Sequence, residues 1–104
     1  MFIATTDNIE GKSLEHLGLV EGSIVNTKNV GRDIMAGFKN IVGGEIVSYT
    51  KMMNEAREVA TKRIIEAAEK LGADAIVGLR YSSSAVMGGA AEIIAYGTAV
   101  KYKK

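Results

Sequence analysis

The stretch from Glu45 to Leu71, followed at once by Gly72-Ala-Asp-Ala-Ile-Val-Gly78, constrains this chain more than any other. Ile46, Tyr49, Met53, Ala56, Ala60, Ile64, Ala67 and Leu71 recur at steps of three and four, which stacks them on one face of a 3.6-residue helix. Much of that face is alanine, so the helix can lie close against its support. Glu58–Lys62 and Glu66–Lys70 are i, i+4 pairs in the favourable order on the solvated side. Gly72 is placed to end the helix in a left-handed conformation. A β-rich run begins almost immediately, so helix and strand are expected to pack on each other.

The rest of the chain supplies the sheet. Phe2 to Thr5 reads as a short strand, and Thr6 to Ser13 as a polar turn. Ser13 to Leu17 fits either a brief helical turn or the lead-in to a strand. Val20, Ile24, Val25, Thr27 and Val30 give Gly18–Val30 strand character, with Gly22 as an expected bulge or bend. Ile34, Phe38 and Ile41 switch to helical spacing and predict a shorter helix over about 32–42, capped by Asn29 and separated from the long helix by Gly43-Gly44. Ala75 to Tyr81 predicts a strand with Val77, Leu79 and Tyr81 on one face. Ser82–Met87 reads as its extension, and Gly88-Gly89 is a hairpin signal. The return strand alternates Ile94, Tyr96, Thr98, Val100 and Tyr102 with Ile93, Ala95, Gly97, Ala99 and Lys101. The second, smaller set suits a helix lying on it. The fold class is therefore α+β: a mostly antiparallel sheet packed on one long helix (about 45–71) plus the shorter helix.

One helix covers only one face of a sheet. Tyr81, Tyr96 and Tyr102 are candidates for the other face, and Met52 and Val59 flank the long helix outside its main stripe. Apolar residues left over after one core is filled point to self-association. The competing reading has the shorter helix and the Phe2 strand cover them.

Composition narrows function mainly by exclusion. A length of 104 residues fits one domain spanning 1–104, and a formal charge of +1 gives no field favouring nucleic acid or an anionic membrane. With no cysteine, disulfides, thiolate metal sites and cysteine nucleophiles are all ruled out. The N-terminal residues lack the pattern of a signal peptide, and no apolar run approaches the roughly 20 residues of a membrane span. A cytoplasmic location is expected. Lys101, Lys103 and Lys104 read as a solvated basic tip.

Catalytic and phosphate motifs fail on inspection. Gly11-Lys12-Ser13 resembles the end of a phosphate-binding loop, but Thr6 stands where its first glycine belongs. Ser82, Ser83 and Ser84 would all need the single histidine, His16, as a base. Arg32, Asp33 and Arg57 fit an ion-pair network between the two helices. No catalytic residue is identified, and a non-enzymatic protein is expected.

Taken in order, Thr5-Thr6, Ile9-Glu-Gly-Lys12, Gly18-Leu-Val20, Gly31-Arg-Asp33, Ile41-Val-Gly-Gly-Glu45, Tyr49, Ala56-Arg57, Leu71-Gly-Ala-Asp-Ala-Ile-Val-Gly78 and Gly97-Thr-Ala-Val100 resemble the YbjQ family. The resemblance implies a compact α+β subunit in a ring-like homo-oligomer, a pentamer, with the label of heavy-metal binding. Members of that family can carry a cysteine just after the region of Glu15, where this chain has Leu17. They also often have an acidic-aromatic pair where this chain has Tyr81-Ser-Ser-Ser84. Both departures remove potential ligands. A metal site, with a divalent ion as the implied cofactor, would then use His16 and Glu15, repeated around a symmetry axis because one subunit offers one imidazole. Beside this reading stand an enzyme whose active site is shared between subunits, using Arg32, Asp33 or Arg57, and two further alternatives. One is a flavin-like small-molecule binding or storage assembly, similar to dodecin, with the tyrosines as stacking surfaces. The other is a structural scaffold with no ligand.

Overall fold

The computed structural model describes residues 1–26, 41–42, 45–85 and 90–103, with the side chains of 26, 41–42 and 45–49 excepted. Its elements in chain order are β1 (Phe2–Ile3), β2 (Leu14–Asn26), β3 (Ile41–Val42), β4 (Glu45–Ile46), α1 (Val47–Lys70), β5 (Ala75–Ala85) and β6 (Ala91–Tyr102). One four-stranded sheet runs β1-β5-β6-β2, and β3 and β4 form a separate two-stranded ladder. The β5–β6 and β6–β2 pairs are antiparallel, whereas β1 joins β5 in parallel. Helix α1 packs mainly on β2 and less on β6, and barely reaches β5.

The long helix starts at Val47, not Glu45, because Glu45 and Ile46 pair with Val42 and Ile41. The same pairing corrects the end of the expected shorter helix: 41–42 are extended, and the rest of that prediction lies outside the described residues. At the other end, Ala73 N–H donates to the Ala68 carbonyl and Gly72 N–H to that of Glu69, with Gly72 at φ +76°. This is a Schellman cap, and its usual apolar contact is supplied by Ala68 and Ala73. Lys70 sits in the last turn, where the helix dipole favours a cation.

Small residues set how closely α1 approaches the sheet. Ala56, Ala60, Ile64 and Ala68 are buried against Val20, Ala95 and Ala99, and Ile93 closes the layer. The buried line follows 52-56-60-64-68, so Ala68 and Met52 face inward while Leu71, expected in the stripe, is exposed. Gly22 completes the fit. A methyl group there would lie 2.6 Å from the Ala60 carbonyl oxygen and 2.8 Å from the Arg63 carbonyl carbon. Gly22 is thus a site of close backbone approach and not the expected bulge, and pairing with Ala95 continues through it.

The irregularities fall elsewhere. Register shifts between His16 and Gly18 on β2, and between Val77 and Arg80 on β5. Gly78 has φ +61°, a conformation glycine reaches at no steric cost. The bulge reverses the alternation along β5. Ala75 and Val77 point away from the helix with Val100, whereas Ile76 and Leu79 point toward it. Val77 therefore does not share a face with Leu79 and Tyr81 as the uninterrupted pattern predicts. Tyr81 pairs with Ala95 on the helix side, while Tyr96 and Tyr102 lie on the opposite face as expected.

Candidate functional site

Away from the helix, the sheet has two unlike halves. At one end Ile9, Leu14 and Tyr102 cover Ala75, Val77 and Val100. The 6–13 turn holds this cover: Lys12 N–H donates to the Ile9 carbonyl (3.1 Å), and the Lys12 ammonium lies 5.0 Å from the centre of the Tyr102 ring. Asp74 braces the same end by accepting the Tyr102 N–H at 2.9 Å. The other half is bare. Leu19 is 72% exposed, Val25 46% and Tyr96 37%, and Ile94 and Thr98 lie half-buried between them. The long strands thus project a partly apolar sheet surface that no described residue covers.

The two sequence-derived metal ligands sit on β2, and both are exposed. Glu15 is opposite Lys101 and His16 is opposite Val100, so neighbouring strand positions place them on opposite faces of the sheet. His16 lies on the non-helix face with Leu14 and Val100, and Glu15 shares the helix side with Leu17. One subunit therefore does not bring Glu15 and His16 to a common ion. Among the described residues no three His, Cys, Asp or Glu side chains are close enough to hold a metal. The described residues of a single copy therefore do not supply the three or four protein ligands such sites need.

A second place collects polar side chains. Asn54, Arg57, Glu58 and Thr61 form one stripe of α1 that faces Tyr81 across an open groove of about 570 Å³. Thr61 Oγ1 donates to the Arg57 carbonyl at 2.7 Å. Its only proton is thereby used, so the 2.6 Å contact with Tyr81 has the phenol donating to Thr61. Arg57 Nη2 donates to Asn54 Oδ1. Arg57 is thus tied to its own helix. Arg32 and Asp33, its expected partners in an ion-pair network, lie outside the described residues. The sequence did not reveal this groove, because Tyr81 reaches the helix side only through the Gly78 bulge. The serine run is exposed along β5, the polar strand its composition suggests.

These features define a class: an α+β subunit with one helix on a mixed four-stranded sheet, a bare apolar half-face, and no self-contained metal site among the described residues. The YbjQ_1 family model, described as "Putative heavy-metal-binding", matches residues 1–103, and the chain belongs to that family. It is 55% identical to a UPF0145 protein of Clostridium novyi over 101 residues, covering 97% of this chain and 98% of the relative. It is 56% identical to a UPF0145 protein of Thermotoga maritima over 105 residues, covering 100% and 99% respectively. The fold is also that of a crystal structure from Pediococcus pentosaceus, a protein of unknown function in the DUF74 family. The TM-score is 0.69 at 19% identity, covering 99% of this chain and 98% of that one. No described helix is long and apolar enough to cross a membrane.

Proposed function

We propose that this chain is a non-enzymatic, cytoplasmic homo-oligomer, a ring of five copies, that holds a divalent metal ion only between copies. The bare half-face around Leu19, Tyr96 and Val25 carries the reading, because a partner surface is what such a patch calls for. The family's metal label supports the ligand class. His16 is the residue with suitable chemistry: it is exposed, it lies on the non-helix face, and it stands on a strand at the sheet edge. Symmetry would multiply one imidazole into several. Glu15, on the other face, would serve the same ion only from a neighbouring copy.

Native mass spectrometry after incubation with zinc tests the reading. A ring retaining a fixed number of ions, lost in His16→Ala while subunit number is unchanged, is the expected result. Unchanged metal stoichiometry in His16→Ala removes the assignment of that ligand, and a monomer at micromolar concentration removes the assembly.

A second reading draws on the groove at Tyr81. Its volume is within the range of small-molecule sites, and Arg57, Asn54, Glu58 and the phenol oxygen surround it with donors and acceptors. A flavin-like planar ligand would stack on Tyr81. Flavin fluorescence left unquenched by excess protein would count against it.

A further inference from the structure

We propose that copies of this chain join edge to edge in one continued sheet, β2 of one copy lying parallel to β1 of the next, with Leu19 against Ala4. The inference rests on the self-association proposed above and gives it an edge contact and a register; of the bare half-face this seam takes in Leu19, while Tyr96 on β6 stays on the open face of the continued sheet.

The two strands sit at opposite edges of the sheet, and among the described residues each pairs on one side only. They also run in the same direction: β2 and β5 are both antiparallel to β6, and β1 is parallel to β5. Copies related by rotation about an axis along the strands would therefore meet in parallel. A contact between two different edges is head-to-tail, the kind that closes into rings.

The hydrogen-bonding groups are in phase. The Lys103 N–H reaches the Ser13 carbonyl, and the Asp74 N–H reaches the Val100 carbonyl. Strand alternation from those two bonds turns the backbone groups of Leu19 and Glu21 outward, past the sheet edge. On the other edge, Ala4 bonds inward to Ile76 and Leu79, which leaves Ile3 and Thr5 pointing outward. A parallel ladder needs one outward residue facing the interval between two outward residues. Leu19 facing Ala4, flanked by Ile3 and Thr5, meets that need.

The rows agree as well. Leu19 pairs with Thr98 and Thr98 with Val77, and the β1–β5 register continues from Ile3–Ile76 to place Ala4 beside Val77. Leu19 and Ala4 are thus the two ends of one row, on the non-helix face. Exposed Phe2 lies two residues from Ala4 on that same face, where it would meet the flank of Leu19. The charges also match. Glu21, Tyr96 and Arg80 form another row, with Glu21 at the β2 edge and Arg80 on β5, beyond the end of β1. The Arg80 guanidinium turns back toward β1, donating to the Gly78 carbonyl at 3.2 Å, in the neighbourhood of Asp7. In the joined sheet Glu21 would approach the Arg80 of the next copy.

The absence of native cysteine makes the register directly testable. Facing Cα atoms on adjacent strands are about 4.8 Å apart, within the roughly 4.4–6.8 Å that a disulfide spans. Leu19 is exposed and Ala4 half-buried, so cysteine at either position leaves the helix-side core intact. Under mild oxidation, Leu19→Cys/Ala4→Cys should give a ladder of linked species ending at the ring number found by native mass spectrometry. An equal mixture of the two single variants should give cross-linked pairs only between them. Disulfide dimers of Leu19→Cys alone would show a two-fold β2–β2 contact and overturn the proposal. An oligomer with no Leu19–Ala4 link would overturn the edge pairing while leaving self-association intact, whereas a monomer would overturn both. Independently, Glu21→Arg should weaken assembly about tenfold, and adding Arg80→Glu should restore it. Wild-type assembly in Glu21→Arg would refute the charge match.

Discussion

The helix-covered face of the sheet is closed by small residues, whereas among the described residues the opposite face carries larger ones and is closed at one end only. On the covered side Gly22, Ala95 and Ala99 let the backbone of α1 settle against the strands, and Ala60 and Ile64 are fully buried. On the other side Ile9 and Tyr102 seal the Val100 end, and Leu19, Val25 and Tyr96 stay in contact with water. The contrast teaches that burial here follows fit to a neighbouring element more than side-chain size. A glycine opposite a helix is more constrained than a leucine at a free edge.

Substitutions should expose this asymmetry in urea unfolding, with the core variants compared at one fixed protein concentration. Ile64→Ala should cost most, about 4 kcal/mol, because a fully buried side chain leaves a cavity beneath α1. Gly22→Ala should cost about 3 kcal/mol, since its methyl group would strike main-chain atoms of Ala60 and Arg63, which cannot rotate away. If Gly22→Ala cost no more than Ser23→Ala next to it, backbone contact would not be what closes the covered face. Gly78→Ala should cost about 1.5 kcal/mol through its left-handed backbone alone. The smallest effect belongs to the bare face. Leu19→Ser should change subunit stability by no more than about 0.5 kcal/mol, measured at dilutions where the wild type is dissociated. The same variant should lose the dependence of its unfolding midpoint on protein concentration. A large loss of stability in the dissociated subunit would mean that Leu19 belongs to the intramolecular core, and the two faces would no longer differ as described.

Much of this architecture is readable from local pattern. The spacing of Ala56, Ala60 and Ile64, the Gly72 stop and the strict alternation from Ile93 to Tyr102 each name an element and its buried face, and the structure agrees. The hairpin pairing of β5 with β6 also follows the sequence, although its turn at 86–89 lies outside the described residues. The pattern misleads where one residue changes phase. Reading Val77, Leu79 and Tyr81 as one face assumes an unbroken strand, and the Gly78 bulge shifts the alternation so that only Leu79 and Tyr81 agree. Gly22 looks like an interruption in the sequence, yet in the fold it is a contact. The difference between the two glycines is what stands opposite each, which sequence spacing does not encode.

The candidate site was less legible than the fold. His16 could be singled out because it is the only imidazole, whereas the strand pairing that puts Glu15 on the other face is seen in the structure. The groove of Asn54, Arg57, Glu58, Thr61 and Tyr81 had no signal, because it joins a helix to a strand through a bulge. By itself the sequence determined the long helix, the antiparallel hairpin, the small-residue face and the absence of thiol chemistry, since each depends on residue type at short spacing. Only the tertiary structure decided which glycine bends and which one packs, on which side Tyr81 lies, and that Leu19 and Ala4 end the same row at opposite edges. Those outcomes depend on strand register, and register is fixed by pairing between residues far apart in the chain.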